Sequence, residues 1–120
     1  MRITAAESQI MEALWQGGPM TTEEIVATVG PAQVWAEGTV RTLINRLMRK
    51  KAIRGERDGT RFAYRPLVRR EDYVLNESQG LLDRLFDGRL APLVSHLSQS
   101  RKLSAEDIAE LKKLIEGFEP

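Results

Sequence analysis

The stretch Gly38-Thr39-Val40-Arg41-Thr42-Leu43-Ile44-Asn45-Arg46-Leu47-Met48-Arg49-Lys50-Lys51 decides how this chain is read. Val40, Leu43, Ile44, Leu47 and Met48 recur at i, i+3, i+4, i+7 and i+8, the spacing of one apolar helix face. The opposite face carries Gly38, Arg41, Thr42, Asn45 and Arg49, flanked by Thr39 and Arg46. A solvated helix face usually mixes Glu with Lys, but this one holds no acid after Glu37. Arg can form a bidentate pair with guanine and Asn with adenine, so the face suits base edges and phosphates.

On both sides of this helix the chain supplies matching parts. Upstream, Thr4-Ala5-Ala6-Glu7 has the form of a capping box, and Ala6, Ile10, Met11, Leu14 and Trp15 follow at helical spacing until Gly17-Gly18-Pro19. Thr21-Thr22-Glu23-Glu24 opens a short second helix carrying Ile25, Val26 and Val29, with a break expected at Gly30-Pro31. Trp35 is expected to pack between the second and third helices. Downstream, Ile53 and Phe62-Ala63-Tyr64 flank Arg57-Asp58-Gly59-Thr60. Asp-Gly is a hairpin-turn signal, with Phe62 expected inward, Arg61 and Ala63 outward, and Pro66 ending the strand. Arg54, Arg57 and Arg61 would decorate this hairpin. The order helix, short helix, polar-faced helix, basic hairpin is that of a winged helix-turn-helix domain, whose third helix enters the major groove while the wing touches backbone.

Charge supports the same reading once it is divided along the chain. The whole of the 120 residues carries 18 Lys+Arg against 17 Asp+Glu, a formal +1. Residues 1–70 hold 12 basic and 7 acidic side chains, whereas 71–120 hold 6 basic and 10 acidic, so +5 is masked by −4. Between 38 and 70, eleven cations face only Glu56 and Asp58. Clustering of this kind points to a polyanion through counterion release. The absence of cysteine excludes disulfides and thiolate chemistry, and His96 alone makes an imidazole metal site unexpected, so no cofactor or metal is expected. No apolar run is long enough for a membrane span, which with the lack of cysteine suggests a cytoplasmic protein without membrane insertion. No catalytic constellation is evident, and the chain is not read as an enzyme. Glu23-Glu24 and Glu106-Asp107 are explained by helix dipoles.

After residue 68 the pattern changes to three amphipathic helices. Glu71 and Asp72 sit in a first turn; Val74, Leu75, Leu81, Leu82, Leu85 and Phe86 follow, with a stop at Gly88. Leu90, Leu93, Val94 and Leu97 form a second stripe, and Ser104-Ala105-Glu106-Asp107 opens a third with Ile108, Leu111, Leu114 and Ile115. An arm of this size rarely stabilises itself. The expected organisation is a mainly α protein: a winged-helix DNA-binding domain over 1–68 and a helical dimerisation domain over 69–120. Val74, Leu81, Leu82, Leu85, Phe86, Leu93, Leu97, Ile108, Leu111 and Ile115 are the expected dimer contacts.

The residues also resemble a known family. Ile3 to Trp15, Thr39-Val40-Arg41-Thr42-Leu43-Ile44-Asn45-Arg46-Leu47, Lys50-Lys51-Ala52-Ile53, Phe62-Ala63-Tyr64 and Leu103 to Leu111 together look like the penicillinase-repressor family of bacterial regulators. The resemblance implies a homodimer that represses transcription from a dyad operator on double-stranded DNA. By position it implies Thr39, Arg41, Thr42 and Arg46 in the groove and Arg57 and Arg61 on the wing; Asn45, Arg49 and Arg54 join them from the residue pattern. Gly38 stands where relatives often carry Lys, and Asn45 where they vary. The cysteine cluster of copper-responsive members is absent. His96-Leu97 occupies the place of the Asn-Phe bond cleaved in antibiotic-responsive ones, which leaves proteolysis of the arm, and a membrane-bound sensor peptidase acting upstream, open. The competing reading of the residues is a winged-helix adaptor that binds protein rather than DNA.

Overall fold

The computed structural model describes residues 2–118. Three helices open the chain: α1 (Ala5–Gly17), α2 (Thr22–Gln33) and α3 (Glu37–Arg49). The first two start on reciprocal capping boxes. The Glu7 amide donates to the Thr4 hydroxyl and the Thr4 amide to Glu7 Oε1; Thr21 and Glu24 repeat the arrangement. Ile10, Met11 and Leu14 of α1, Ile25 and Val29 of α2, and Val40, Leu43, Ile44 and Leu47 of α3 are buried together, closed by Ile3, Ala52, Ile53 and Tyr64. Each fully buried aliphatic side chain of this kind stabilises the fold by roughly 1.5–3 kcal/mol.

The break expected at Gly30-Pro31 does not occur there, because α2 continues through Pro31 to Gln33. Proline removes one amide donor, but its fixed φ is helical, so the residues after it can stay in the helix. The helix instead ends in a six-to-one closure: Trp35 N donates to Gly30 O at 2.8 Å and Val34 N to Pro31 O, with Val34 left-handed at φ 58°. The end of α3 is built alike, with Lys51 at φ 62° and Ala52 N donating to Leu47 O.

Two antiparallel strands follow, β1 (Ile53–Asp58) and β2 (Arg61–Pro66), in a register that pairs Ile53 with Pro66 and Asp58 with Arg61. The loop is therefore Gly59-Thr60, one residue on from the expected Asp-Gly centre, and of the two only Gly59 is left-handed, at φ 64°. Glycine first in a two-residue loop is the type II′ preference. Arg61 is exposed as expected, but the assignment fails at its two neighbours: Phe62 is 48% exposed, whereas Ala63 is buried. Phe62 shares a face with buried Tyr64 but lies farther out along the hairpin, where the helical core no longer covers it. Its ring meets Tyr64 edge-on at 5.6 Å and fills the space over Gly55, where a Cβ would stand 2.5 Å from it. Met20 adds a short backbone bridge to Tyr64 along the outer edge of β2.

The first compact unit extends to Tyr73, and the second begins at Val74. Trp15 explains the extension, since its indole donates to Val68 O at 2.9 Å and its ring packs on Tyr73 at 5.4 Å. Beyond it run α4 (Arg70–Phe86), α5 (Leu90–Gln99) and α6 (Ala105–Glu116). Gly88, at φ 76°, closes α4 by donating to Leu82 O, and Ser104 with Asp107 forms a third capping box. None of these three helices contributes a fully buried side chain among the described residues. Val74, Leu81, Leu85, Ile108 and Ile115 are exposed, while Leu82, Phe86, Leu93, Leu97 and Leu111 are half-buried. No helix among the described residues is long and apolar enough to cross a membrane.

Val34 gives a clean test of the α2 closure. It is 90% exposed, so its side chain contributes little packing, yet it holds a conformation that disfavours β-branched residues. Val34→Gly should raise stability by roughly 0.5–1 kcal/mol, read from urea denaturation at constant m-value.

Candidate nucleic-acid interface

Burying the apolar stripe of α3 leaves its other face in solvent. Thr39, Arg41, Thr42, Asn45, Arg46 and Arg49 are all exposed, and a Cβ placed at Gly38 would meet nothing within 4 Å. Ala36 precedes the helix without a side-chain cap, so no capping side chain covers the first amides of α3. The Thr42 hydroxyl donates to Gly38 O at 2.9 Å, which leaves its oxygen facing outward as an acceptor. Arg41 is held along the helix by Glu37, Nε to Oε2 at 3.3 Å. Arg46 and Arg49 have no acidic partner among the described residues and present full charge in the last turns of the helix.

The hairpin divides its cations between two faces. Strand alternation puts Arg54, Arg61 and Arg65 on one side together with Glu56, and Arg57 on the other with Phe62 and Tyr64. Arg54 and Arg65 share Glu56 Oε1 at 3.4 and 3.0 Å, and Arg61 pairs with Glu24 at the start of α2. Arg57 is exposed and has no acidic partner among the described residues. The nine expected contacts thus all lie on α3 and the wing and are all exposed, but their charges are unequally available. Arg46, Arg49 and Arg57 are unopposed, whereas Arg41, Arg54 and Arg61 each face a carboxylate.

Two acids that the sequence marks only as helix caps also shape this surface. Glu7 is fully buried, and its Oε1 accepts from both the Thr4 amide and Lys50 Nζ, the residue that ends α3. Lys50 also donates to Arg2 O at 2.8 Å, so this cation is turned inward and withdrawn from the basic surface. Burial alone would push the Glu7 carboxyl up, but the bonds from Lys50 and Thr4 outweigh it and hold the group below its ordinary 4.5. Its second oxygen is buried without a partner. Glu24 is held low by the Thr21 amide and hydroxyl, with Arg61 adding to the effect. The Thr-x-x-Glu spacing announced both carboxylates as caps, but their cations lie 43 and 37 residues away, beyond any local pattern.

The two tryptophans are structural in their contacts. Trp15 serves the junction with Val68 and Tyr73, and Trp35 packs partly buried against the α2–α3 core, as expected from its position. Trp35 also walls an open, uncharged hollow with Val26, Pro31 and Val34. Among the described residues no group of His, Cys, Asp or Glu is arranged to hold a metal ion.

With this geometry in view, the likeness to known proteins is extensive. A family model described as penicillinase repressor matches residues 3–117. The penicillinase repressor of Bacillus licheniformis is 29% identical over 96% of this chain and 90% of its own length. The methicillin resistance regulatory protein MecI of Staphylococcus aureus (strain N315) is 27% identical over 94% of this chain and 92% of its own. Among solved structures, the solution structure of the Bacillus licheniformis BlaI monomeric form in complex with the blaP half-operator superposes with a TM-score of 0.56 at 27% identity. That match covers 61% of this chain and 89% of the other. The architecture is the winged helix, with the third helix and the hairpin arranged as the sequence order implied.

The buried pair makes the fold acid-sensitive in a defined sense. The folded carboxyl of Glu7 titrates below its unfolded value, so its stabilisation is present above about pH 4.5 and disappears as pH falls through the folded pKa. The stability gap between the wild type and Glu7→Gln in urea should therefore shrink between neutral pH and about pH 3. Lys50→Met, which leaves the buried carboxylate unpaired, should cost about 3 kcal/mol at neutral pH.

Proposed function

The chain belongs to the penicillinase repressor family, a family of transcriptional repressors rather than of enzymes, and on that premise we propose that it represses transcription as a homodimer bound to a dyad operator. The observation carrying this reading is the outer face of α3, free of acids after Glu37, beside a basic wing, both projecting from one helical core. A helix about 10–12 Å across fits the major groove, and a hairpin at its side can fix the helix on the backbone. Thr39, Thr42, Asn45, Arg46 and Arg49 would face bases and flanking phosphates, and Arg57 a phosphate or the neighbouring minor groove. Arg41, Arg54 and Arg61 would contribute in competition with Glu37, Glu56 and Glu24. Gly38 allows the sugar–phosphate backbone to approach the start of α3 closely.

In the same reading residues 1–68 form the DNA-binding domain and 69–120 the dimerisation domain. The support for pairing is the apolar surface of α4, α5 and α6, where Leu75, Leu85, Leu114 and Ile115 are each more than half exposed. A second copy would cover it, and the net negative charge of 71–120 suits a region kept away from phosphates. Two-fold symmetry then places recognition helices on half-sites about one helical turn apart, or a multiple of it. The protein would act in the cytoplasm without a cofactor. Where relatives respond to antibiotics by cleavage at Asn-Phe, the arm carries His96-Leu97 in α5, so a membrane-bound sensor peptidase acting upstream would need a different bond preference.

Selection of duplexes from a random-sequence pool, followed by titration at several salt concentrations, tests this function. Affinity should fall with a log–log salt slope of about −0.9 per phosphate neutralised. Failure to retain any duplex at low salt would favour a protein-binding adaptor instead. Arg46→Ala should weaken binding to the selected duplex by about 1–3 kcal/mol. Sedimentation should give a dimer at micromolar concentration, and a monomer there would overturn the pairing.

A further inference from the structure

The two capping boxes of the first unit do more than start helices. In each, one carboxylate oxygen accepts from the N-cap amide of its own helix and also from a distant cation of the basic surface. Glu7 Oε1 takes Thr4 N and Lys50 Nζ, and Glu24 Oε1 takes Thr21 N and the Arg61 guanidinium. Lys50 is the residue that ends α3, one turn beyond Arg46, and Arg61 opens β2 directly after the wing loop. The start of α1 is thereby fastened to the end of the recognition helix, and the start of α2 to the tip of the wing. A capping box needs only a hydrogen-bond acceptor at its third position, and Gln fills that role as well as Glu. The negative charge is not needed for the capping hydrogen bonds; beyond its favourable place at the helix dipole, it serves the cation. At Glu7 it is retained despite full burial and an unpaired second oxygen, a costly arrangement for stability alone.

We propose that Glu7 and Glu24 are positioning residues for DNA recognition: each couples a helix start to one of the two DNA-facing elements and holds α3 and the wing at a set spacing. The inference rests on the DNA-binding reading above. Reading a sequence requires both elements to meet one duplex in register, so fastening them lowers the ordering cost on the correct site. Loose elements would still adhere to phosphates. Specificity, the ratio of selected to unselected affinity, is therefore the quantity the tethers control, with Lys50 and Arg61 diverted from phosphates to achieve it.

Glu7→Gln and Glu24→Gln preserve both capping boxes while removing the charge. Each full-length variant is titrated against the duplex selected by the wild type and against poly(dI-dC), with circular dichroism to monitor the fold. The expected outcome is a lower ratio of the two affinities, roughly twofold to fivefold for the exposed Glu24 pair and on the order of tenfold for the buried Glu7 pair. Glu24→Gln should also steepen the poly(dI-dC) salt slope by up to about 0.9, because Arg61 becomes free for a phosphate. In the cycle with Arg61→Gln, the double variant should lose no more specificity than the worse single one. A ratio equal to that of the wild type in a folded variant overturns the tether at that carboxylate, and additive losses overturn the Glu24–Arg61 coupling. Should Glu7→Gln unfold, the surface variant Glu24→Gln decides alone. Absence of sequence preference in the wild type itself would remove the DNA-binding reading, an outcome distinct from unchanged ratios in the variants.

Discussion

Everything at the basic surface depends on the burial of one stripe of α3. Val40, Leu43, Ile44 and Leu47 are removed from water against Ile10, Met11 and Leu14 of α1 and Ile25 and Val29 of α2. A helix is rigid about its axis, so burying this face sets the outward direction of Arg41, Thr42, Asn45 and Arg46 without a separate contact for each. The hydrophobic effect is non-directional, but on a helical lattice it becomes an orienting force for polar side chains on the opposite face. Ala52, Ile53 and Tyr64 extend the same core to the root of the hairpin, so the wing is oriented by that core as well.

Charge gives the surface its second level of organisation. A count of eleven cations between 38 and 70 suggests a uniformly positive face. The folded arrangement is graded: Glu37, Glu56 and Glu24 hold Arg41, Arg54 with Arg65, and Arg61, and Glu7 takes Lys50 inward. Exposed pairs of this type contribute little to stability, and their effect is on where side chains rest and how much free charge a polyanion would meet. Among the described residues the uncompensated positions, Arg46, Arg49, Lys51 and Arg57, lie at and just beyond the end of α3 and on the wing face shared with Phe62. The acidic excess of 71–120 completes the separation of charge along the chain, so near-neutrality of the whole conceals a strongly polar distribution.

Much of this was legible locally. The capping boxes at Thr4, Thr21 and Ser104, the stripe of α3, the stop at Gly88 and the strand end at Pro66 follow from backbone satisfaction and period, which need only neighbours in sequence. The points where the structure departs from local pattern share a cause. Gly30-Pro31 reads as the end of α2, but the termination is set by the closure around Val34 and Trp35. Strand alternation points Phe62 inward, yet its face outruns the helical core at that height and the ring settles on Gly55 instead. The turn centre moved to Gly59-Thr60 because the register of the two strands, not the dipeptide, chooses the loop.

The amino-acid sequence by itself determined the elements, their order and the outward face of α3, because helix period, capping chemistry and aliphatic burial act over a few residues. It also carried the charge asymmetry, which is a property of composition along the chain. Only the tertiary structure decided which cations are free. Glu7 and Lys50, or Glu24 and Arg61, meet because α1, α2, α3 and the hairpin pack on one core, and no pattern in sequence encodes a contact between groups 43 or 37 residues apart. Coulomb interactions depend on distance in space, and distance in space is settled by packing.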